Sequence, residues 1–125
     1  MYTVSVSDAF VAQHYLTVPD AGPEGQLHSH RYTATATFRG PELGPDGYLV
    51  DIDAVTDALE SVVDSIRDRT LNELPALEEL NPSAERVATL LGDRLVATLT
   101  PELATELGIR LCEDDVATVS HERSL

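Results

Sequence analysis

The 125-residue sequence contains no lysine and no tryptophan, and its only cysteine is Cys112. A single cysteine excludes an internal disulfide and fits a reducing compartment. The sequence has no run of about 18 apolar residues, so a membrane-spanning helix is not expected. Its first residues also lack the charged-then-apolar order of a signal peptide. The composition therefore predicts one globular, cytoplasmic domain that comprises residues 1–125.

Positive charge is scarce as well, because eight arginines stand against 22 acidic residues, which gives a net charge of −14. Repulsion of this kind destabilises a compact fold at low salt, but in molar salt the Debye length falls to about 3 Å and screens it. We interpret the composition as an adaptation to a salt-rich cytoplasm; an acidic surface that binds a basic partner is the alternative. Direct nucleic-acid binding is not expected, since no basic stripe is available to neutralise phosphates.

Two kinds of apolar periodicity divide the chain. Residues 2–15, 28–40 and 108–121 alternate with period two and predict strands, the last of these segments turning at Asp114-Asp115. Two stretches between them have helical spacing: one begins at the N-cap Asp51 and ends near residues 67–70, and the other runs from residues 81–83 to Pro101. The order ββααββ predicts an α+β fold, an antiparallel sheet with both helices on one face. Its two open edges favour a homo-oligomer.

Three histidines occupy equivalent positions on the first two strands. His14 ends the first strand, and His28 and His30 begin the second, all in phase with the apolar residues. Each of them could be a core histidine with a satisfied hydrogen bond, and two histidines at this spacing also occur by chance. Three neutral imidazoles from adjacent strands are, however, typical of a zinc site that keeps one coordination position open. The pattern therefore favours a catalytic zinc ion over a structural one.

Glu113 is unusual because it shares its strand face with Leu107, Ile109 and Leu111. A carboxylate on an apolar face needs a partner. Either Glu113 lies at the end of the strand and reaches water, or it anchors a ligand with adjacent N–H donors, such as the edge of a guanidine-like heterocycle.

Six features of the sequence resemble, in the same order, those of the 6-pyruvoyltetrahydropterin synthase and 6-carboxytetrahydropterin synthase family. They are Phe10-Val11-Ala12-Gln13-His14 (F-x-A-x-H), His28-Ser29-His30-Arg31-Tyr32 (H-G-H-x-Y), Gly47-Tyr48-Leu49-Val50-Asp51 (G-x-x-x-D), Leu71-Asn72-Glu73 (L-N-D), Asn81-Pro82-Ser83-Ala84-Glu85 (N-P-T-x-E) and Glu113. The resemblance implies the tunnelling fold, in which trimers close a twelve-stranded barrel and often stack into hexamers, with sites between subunits. It also implies zinc on His14, His28 and His30, a pterin ring on Glu113, and 7,8-dihydroneopterin or its triphosphate as substrate.

The resemblance places Glu24 where the family usually has its catalytic cysteine. Cys112 cannot take that place, because it lies in the third strand beside Glu113. A family subgroup with glutamate at this position cleaves the dihydroneopterin side chain to 6-hydroxymethyldihydropterin, and Glu24 suggests that chemistry. In so acidic a chain, an ordinary solvated loop acid is the alternative interpretation of Glu24.

The family's catalytic Asp-His pair is also replaced. It falls on Arg67 and Asp68, or on Asp68 and Arg69 if one residue is deleted, and neither alignment supplies the histidine. His121 is the only histidine outside the metal set, and the sequence does not place it in the site. Glu24 and Asp68 are therefore the candidate catalytic residues.

Three hypotheses follow from these observations. The first is a zinc-dependent, pterin-forming lyase of the 6-pyruvoyl/6-carboxytetrahydropterin synthase type or its side-chain-cleaving variant. The second is a diverged zinc protein that binds a pterin or purine-like ligand without turnover. The third, a structural oligomer without a site, is disfavoured by the in-phase histidines and by Glu113. Metal content separates the third hypothesis from the others, and turnover separates the first two.

Overall fold

Alternation of side chains along four strands sets the architecture of the protein, for which a computed structural model describes residues 1–125. The elements are β1 (Tyr2–His14), β2 (His28–Gly40), α1 (Ile52–Asp64), α2 (Ala84–Thr98), β3 (Glu106–Glu113) and β4 (Ala117–Ser124). The strands form one antiparallel sheet in the order β1-β2-β3-β4. Short 3-10 helices lie at Gly22–Gly25, Leu71–Glu73 and Pro75–Leu77. The predicted α+β fold is confirmed.

The two faces of the sheet differ in polarity. Even-numbered residues of β1 and β2 lie on the face towards the helices, and in β2 they are buried along most of the strand. On the opposite face, Ser5 and Ser7 hydrogen-bond to Thr37 and Thr35 of β2 at 2.7 and 2.8 Å. All 26 buried apolar residues belong to one cluster between the sheet and the helices, so the chain has a single core.

Both helices begin at capping side chains and bury one stripe each. Asp51 accepts hydrogen bonds from the main-chain N–H groups of Asp53 and Ala54, and Ser83 accepts one from Arg86. The buried apolar residues of the two helices are Val55, Ala58, Leu59, Val62 and Val63 in α1, and Val87, Ala88, Leu90, Leu91 and Leu95 in α2. Neither helix has the length and apolar character needed to cross a membrane.

The first helix is shorter than its apolar spacing predicted. The spacing continues through the buried Ile66, whereas α1 ends at Asp64. Beyond the helix, the backbone N–H of Asp68 donates to the carbonyl of Val11 at 2.7 Å, and Asp68 adopts a positive φ of 60°. The helix ends early because this segment leaves the helical path to pair with β1.

Two asparagine side chains hold the chain where it leaves β1. Asn72 accepts a hydrogen bond from Tyr15 N at 3.0 Å and donates one to Tyr15 O at 2.9 Å. Asn81 accepts from Thr17 N at 2.9 Å. These residues come from two of the segments that resemble family motifs, and their contacts hold the end of β1 at His14 against the start of α2.

Candidate metal centre and ligand cavity

The pairing of β1 with β2 brings three imidazoles together. His14 is directly opposite His28, and His30 is opposite Ala12 on the same face of the sheet. The ring centroids lie 4.6, 4.7 and 5.0 Å apart. One ligand nitrogen from each ring lies within 4.8 Å of the other two. This is the arrangement that the parity of the three positions predicts.

Each imidazole is held in place through its Nδ1 atom. The three pairs are His14 Nδ1 with Pro82 O at 2.9 Å, His28 Nδ1 with Gln26 O at 2.7 Å, and His30 Nδ1 with the carboxylate of Asp114. Carbonyl oxygens only accept hydrogen bonds, so in the neutral rings of His14 and His28 the proton resides on Nδ1, and the Asp114 carboxylate favours the same tautomer in His30. In this tautomer the Nε2 atom of each ring is left as a lone-pair donor.

The polar atoms of this cluster fit a zinc ion. His28 Nε2 is buried without a hydrogen-bond partner, which is unfavourable unless another group occupies the space beside it. Burial lowers the pKa of His14, although its hydrogen bond to the Pro82 carbonyl acts in the opposite direction. The buried ring is therefore kept in the neutral form that binds metals. Three neutral imidazole nitrogens are a donor set that zinc accepts, with one position left open.

Three carboxylates, those of Glu24, Glu85 and Glu113, line a cavity together with two of the histidines. Glu113 ends β3 opposite Tyr32, and its Oε1 lies 3.5 Å from His30 Nε2 with a quarter of the side chain exposed. The cavity has a volume of about 250 Å³ and is lined by His14, His30, Glu113 and Glu24, among others. The structure therefore brings Glu24 and Glu113 into the same cavity as His14 and His30.

Comparison with known proteins identifies the family of this chain. Residues 3–124 match the family model described as 6-pyruvoyl tetrahydropterin synthase. The chain belongs to the 6-pyruvoyl tetrahydropterin synthase family. The resemblance inferred from six short sequence features is thus confirmed over nearly the whole chain.

Solved structures of synthases from this family have the same fold. The Caenorhabditis elegans enzyme is 22% identical, with a TM-score of 0.83 over 98% of this chain and 96% of that one. The Plasmodium falciparum enzyme is 14% identical, with a TM-score of 0.86 over 99% and 98% of the two chains. A Plasmodium vivax synthase, described as a glutamate-to-alanine catalytic residue mutant, is 12% identical, with a TM-score of 0.85 over 99% and 98%. The tunnelling-fold subunit is thereby confirmed.

In this member of the synthase family, Glu24 lies in the 3-10 helix Gly22–Gly25. Its main-chain carbonyl accepts a hydrogen bond from Leu16 N at 2.9 Å, which folds the loop back onto the segment after β1. The Glu24 side chain is exposed while it lines the cavity. A carboxylate at this position has access both to solvent and to a ligand beside the histidines.

The replacements at the family's Asp-His pair lie elsewhere in the subunit. Asp68 lines a separate cleft at the edge of the sheet, and in its own chain it does not reach the histidine cavity. Arg67 is engaged by Asp64 at 3.0 Å, by the Ala9 carbonyl at 2.9 Å and by Asp8 at 3.3 Å. The hydrogen bond that Arg67 donates to Asp64, together with the charge of Asp8, raises the pKa of the Arg67 guanidinium against the effect of burial. Arg67 therefore links α1 to β1.

The remaining polar candidates lie outside the histidine cavity. His121 lies on β4 with its Nδ1 atom 3.5 Å from Arg123 Nη2. Cys112 lies in β3 between Thr33 and Thr118 of the neighbouring strands. A second cavity, of about 460 Å³, is lined mainly by polar residues of β2, β3 and β4 and contains none of the predicted site residues.

Two residues at the site were assigned no role from the sequence. The Tyr32 hydroxyl is buried without a partner, and burial, with the charges of Glu113 and Asp114, raises the pKa of Tyr32 far above its usual value. Asp114 binds His30 and accepts a hydrogen bond from Arg31 N at 2.8 Å; these two contacts lower the pKa of its carboxyl. The two-residue alternation of β2 could have placed Tyr32 on the same face as His28 and His30. Asp114 was recognised in the sequence only as a residue of the turn.

Proposed function

We propose that this chain is a zinc-dependent lyase that acts on the side chain of 7,8-dihydroneopterin or its triphosphate. The observation that carries the proposal is the cluster of three imidazoles, each engaged through Nδ1, beside a cavity that two of them line together with the carboxylates of Glu24, Glu85 and Glu113. Membership of the 6-pyruvoyl tetrahydropterin synthase family supports a pterin as the substrate.

In this proposal, zinc is held by the Nε2 atoms of His14, His28 and His30. Bound there, it supplies Lewis-acid stabilisation of negative charge on a side-chain oxygen of the substrate. The hydrogen bonds that the three Nδ1 atoms donate orient the rings before the metal arrives. The side-chain entropy of the three rings is therefore lost during folding and not when the metal binds.

Glu113 is proposed to bind the pterin ring. A carboxylate accepts two N–H groups side by side, and a pterin presents an amino group and a ring N–H in that arrangement. The position of Glu113 at the end of β3, partly shielded and next to the cavity, supports this role. The ring would thereby be oriented with its side chain towards the histidines.

Glu24 is proposed to act as the general base. It removes the proton of the C2′ hydroxyl, the C1′–C2′ bond breaks as C2′ becomes an aldehyde carbonyl, and the electron pair left at C1′ takes up a proton. The products are 6-hydroxymethyldihydropterin and an aldehyde that carries the rest of the side chain. The place of Glu24 in the cavity supports this assignment, as does the catalytic glutamate named for the Plasmodium vivax synthase.

A ring of identical subunits is part of the proposal. The contacts from Asp68 N to Val11 O and from Gln13 N to Arg69 O cover the edge of β1 near His14. Residues 2–9 of β1 have no main-chain partner on this edge, where only the Ala9 carbonyl is taken, by the Arg67 side chain. This stretch has the same number of residues as the eight of β4. Antiparallel pairing of these two stretches in successive copies would remove both open edges. We propose a trimer, or two stacked trimers, built in this way.

The same pairing would bring Asp68 to the histidine cavity of a neighbouring copy. If the two stretches pair end to end, the first residue of β4, Ala117, lies opposite Ala9 of the next copy. Ala117 lines the histidine cavity of its own chain, and Ala9 lines the cleft that contains Asp68. Asp68 is therefore proposed to assist proton transfer in the cavity of the neighbouring copy.

The second candidate function is a zinc-containing protein that binds a pterin or purine-like ligand without turnover. The observation that favours it is Arg67, whose guanidinium is fully engaged by Asp8, Asp64 and the Ala9 carbonyl. An arginine held in this way does not transfer protons, and no histidine replaces it. The zinc ligands and Glu113 would then bind the ligand without converting it.

The test is turnover by the zinc-loaded protein, with dihydroneopterin and its triphosphate as substrates. The assay would follow 6-hydroxymethyldihydropterin, 6-pyruvoyltetrahydropterin and 6-carboxytetrahydropterin together. Replacement of Glu24→Gln should lower turnover by about 10²–10⁴-fold while pterin still binds. Asp20→Asn, the same change of charge in the same loop but outside the cavity, is the matched control and should leave turnover unchanged.

The possible results separate the two candidates. Zinc and pterin bound without any product would support the binding protein and contradict the lyase. Equal turnover in the wild type and in Glu24→Gln would show that a lyase exists but that Glu24 is not its base.

A further inference from the structure

We propose that Asp114 is a positioning residue of the metal site. Its carboxylate fixes the tautomer and the ring orientation of His30 and so sets the affinity of the site for zinc. This inference rests on the proposed zinc site, and it assigns a role in that site to the turn between β3 and β4.

The turn holds Asp114 in a defined conformation. Val116 N donates to Glu113 O at 3.0 Å, and the two residues between them, Asp114 and Asp115, have φ values of 52° and 56°. Two central residues with positive φ are typical of a type I′ hairpin turn, and aspartate is one of the few residues that adopt this conformation readily. The side chain of Asp114 therefore leaves the turn in a fixed direction, immediately after Glu113.

Asp114 is attached to the backbone of β2 independently of His30. Its N–H donates to Arg31 O at 2.8 Å, and its Oδ1 accepts from Arg31 N at 2.8 Å. The other oxygen, Oδ2, binds His30 Nδ1. Because the first two contacts are made with the main chain, the position of the carboxylate does not depend on the rotamer of His30.

His30 differs from the other two histidines in having a carboxylate on each side. Asp114 contacts Nδ1, and Glu113 Oε1 lies 3.5 Å from Nε2. A neutral imidazole carries one proton, so the two neighbouring acids compete to accept it. If the proton resides on Nδ1, facing Asp114, then Nε2 can bind zinc. If it resides on Nε2, facing Glu113, the metal-binding atom is blocked.

The contacts of Asp114 favour the first of these states. Asp114 hydrogen-bonds to His30 and is itself fixed by Arg31, whereas Glu113 Oε1 lies 3.5 Å from Nε2. The corresponding partners of His14 and His28 are main-chain carbonyls, which a substitution does not remove. Among the hydrogen-bond partners of the three Nδ1 atoms, Asp114 is therefore the only one that contributes a side chain. A carboxylate partner also makes the imidazole a stronger metal ligand.

The experiment measures zinc affinity by competition with a chelator in the wild type, Asp114→Asn and Asp115→Asn. Both variants lose one negative charge in the same turn, and asparagine tolerates positive φ as aspartate does. Asp114→Asn should bind zinc about 10–100-fold more weakly, the effect typical of losing such a partner. Asp115→Asn, with no contact to a histidine, should bind like the wild type.

A second measurement does not depend on metal or on activity. Long-range ¹⁵N–¹H NMR of the metal-free wild type at a pH where His30 is neutral should show its proton on Nδ1, and Asp114→Asn should move that proton to Nε2. A wild-type proton on Nε2, or equal zinc affinity in the wild type and Asp114→Asn, would overturn the inference. If the wild type bound no zinc, the proposed function would fail, whereas the NMR result would still decide the role of Asp114 at His30.

Discussion

Removal of zinc should lower the thermal stability of the protein by an amount that the chain length allows us to calculate. A ligand present at 100 times its dissociation constant stabilises the folded state by about 2.7 kcal/mol. Unfolding entropies of about 2.1 cal/mol/K per residue amount to about 0.26 kcal/mol/K for a chain of this length. The melting temperature should therefore rise by about 10 °C when zinc is added to that concentration.

His28→Gln is the variant that tests the origin of this shift. The Nε2 atom of His28 is buried without a partner in the protein, and the hydrogen bond from Nδ1 to Gln26 O, which the substitution also removes, is lost with and without zinc alike. The variant should show little or no rise in melting temperature with zinc. His121→Gln is the matched control, because His121 lies on β4 beside Arg123, outside the histidine cavity, and should keep the full shift.

Differential scanning calorimetry of chelator-treated protein, with and without added zinc, is the suitable assay. Elemental analysis of protein purified without chelators should give about one zinc per subunit. A melting temperature that is insensitive to zinc in the wild type would refute the reasoning. A shift of the same size in His28→Gln would show that zinc binds elsewhere.

Three further results are expected. Glu113→Gln should weaken pterin binding by about 2–5 kcal/mol, because an amide N–H would face the ligand's N–H; unchanged affinity would remove Glu113 as the anchor. The melting temperature should rise between about 0.1 M and 1 M KCl, over which the Debye length falls from about 10 to about 3 Å; a flat response would contradict significant charge repulsion. In an alkaline absorbance titration, Tyr32 should ionise only as the chain unfolds, and stability should decrease above pH ~10, where unfolded tyrosine releases its proton. Tyr32→Phe should remove that late step.

The sequence predicts the strands and the shared face of the three histidines because both depend on local alternation. His14 and His28 are in phase with buried neighbours, and the strand order then places them opposite each other. The end of α1 could not be predicted in the same way. Ile66 continues the helical spacing and is buried, but the backbone around it is held by β1 through Asp68, a contact between distant parts of the chain.

The hydrogen-bond partners of the imidazoles could not be predicted from the sequence, for a similar reason. Pro82 is distinguished in the sequence as a helix-start signal, yet its contribution is a carbonyl oxygen, which every residue has. Asp114 and Asp115 are chemically identical neighbours in one turn. Only the direction that the turn gives to each side chain decides that Asp114 contacts His30.

The separation along the chain between the imidazoles and their partners bears on the order of folding. His14 and Pro82 are 68 positions apart, and His30 and Asp114 are 84 positions apart. Contacts between such distant positions require closure of large loops and are slow to form. In the unfolded chain only His28 and His30 are near neighbours, and two imidazoles alone bind a metal ion weakly. Tight zinc capture should therefore follow the docking of α2 and of the β3–β4 hairpin onto β2, so that stopped-flow zinc uptake would report the last stage of folding.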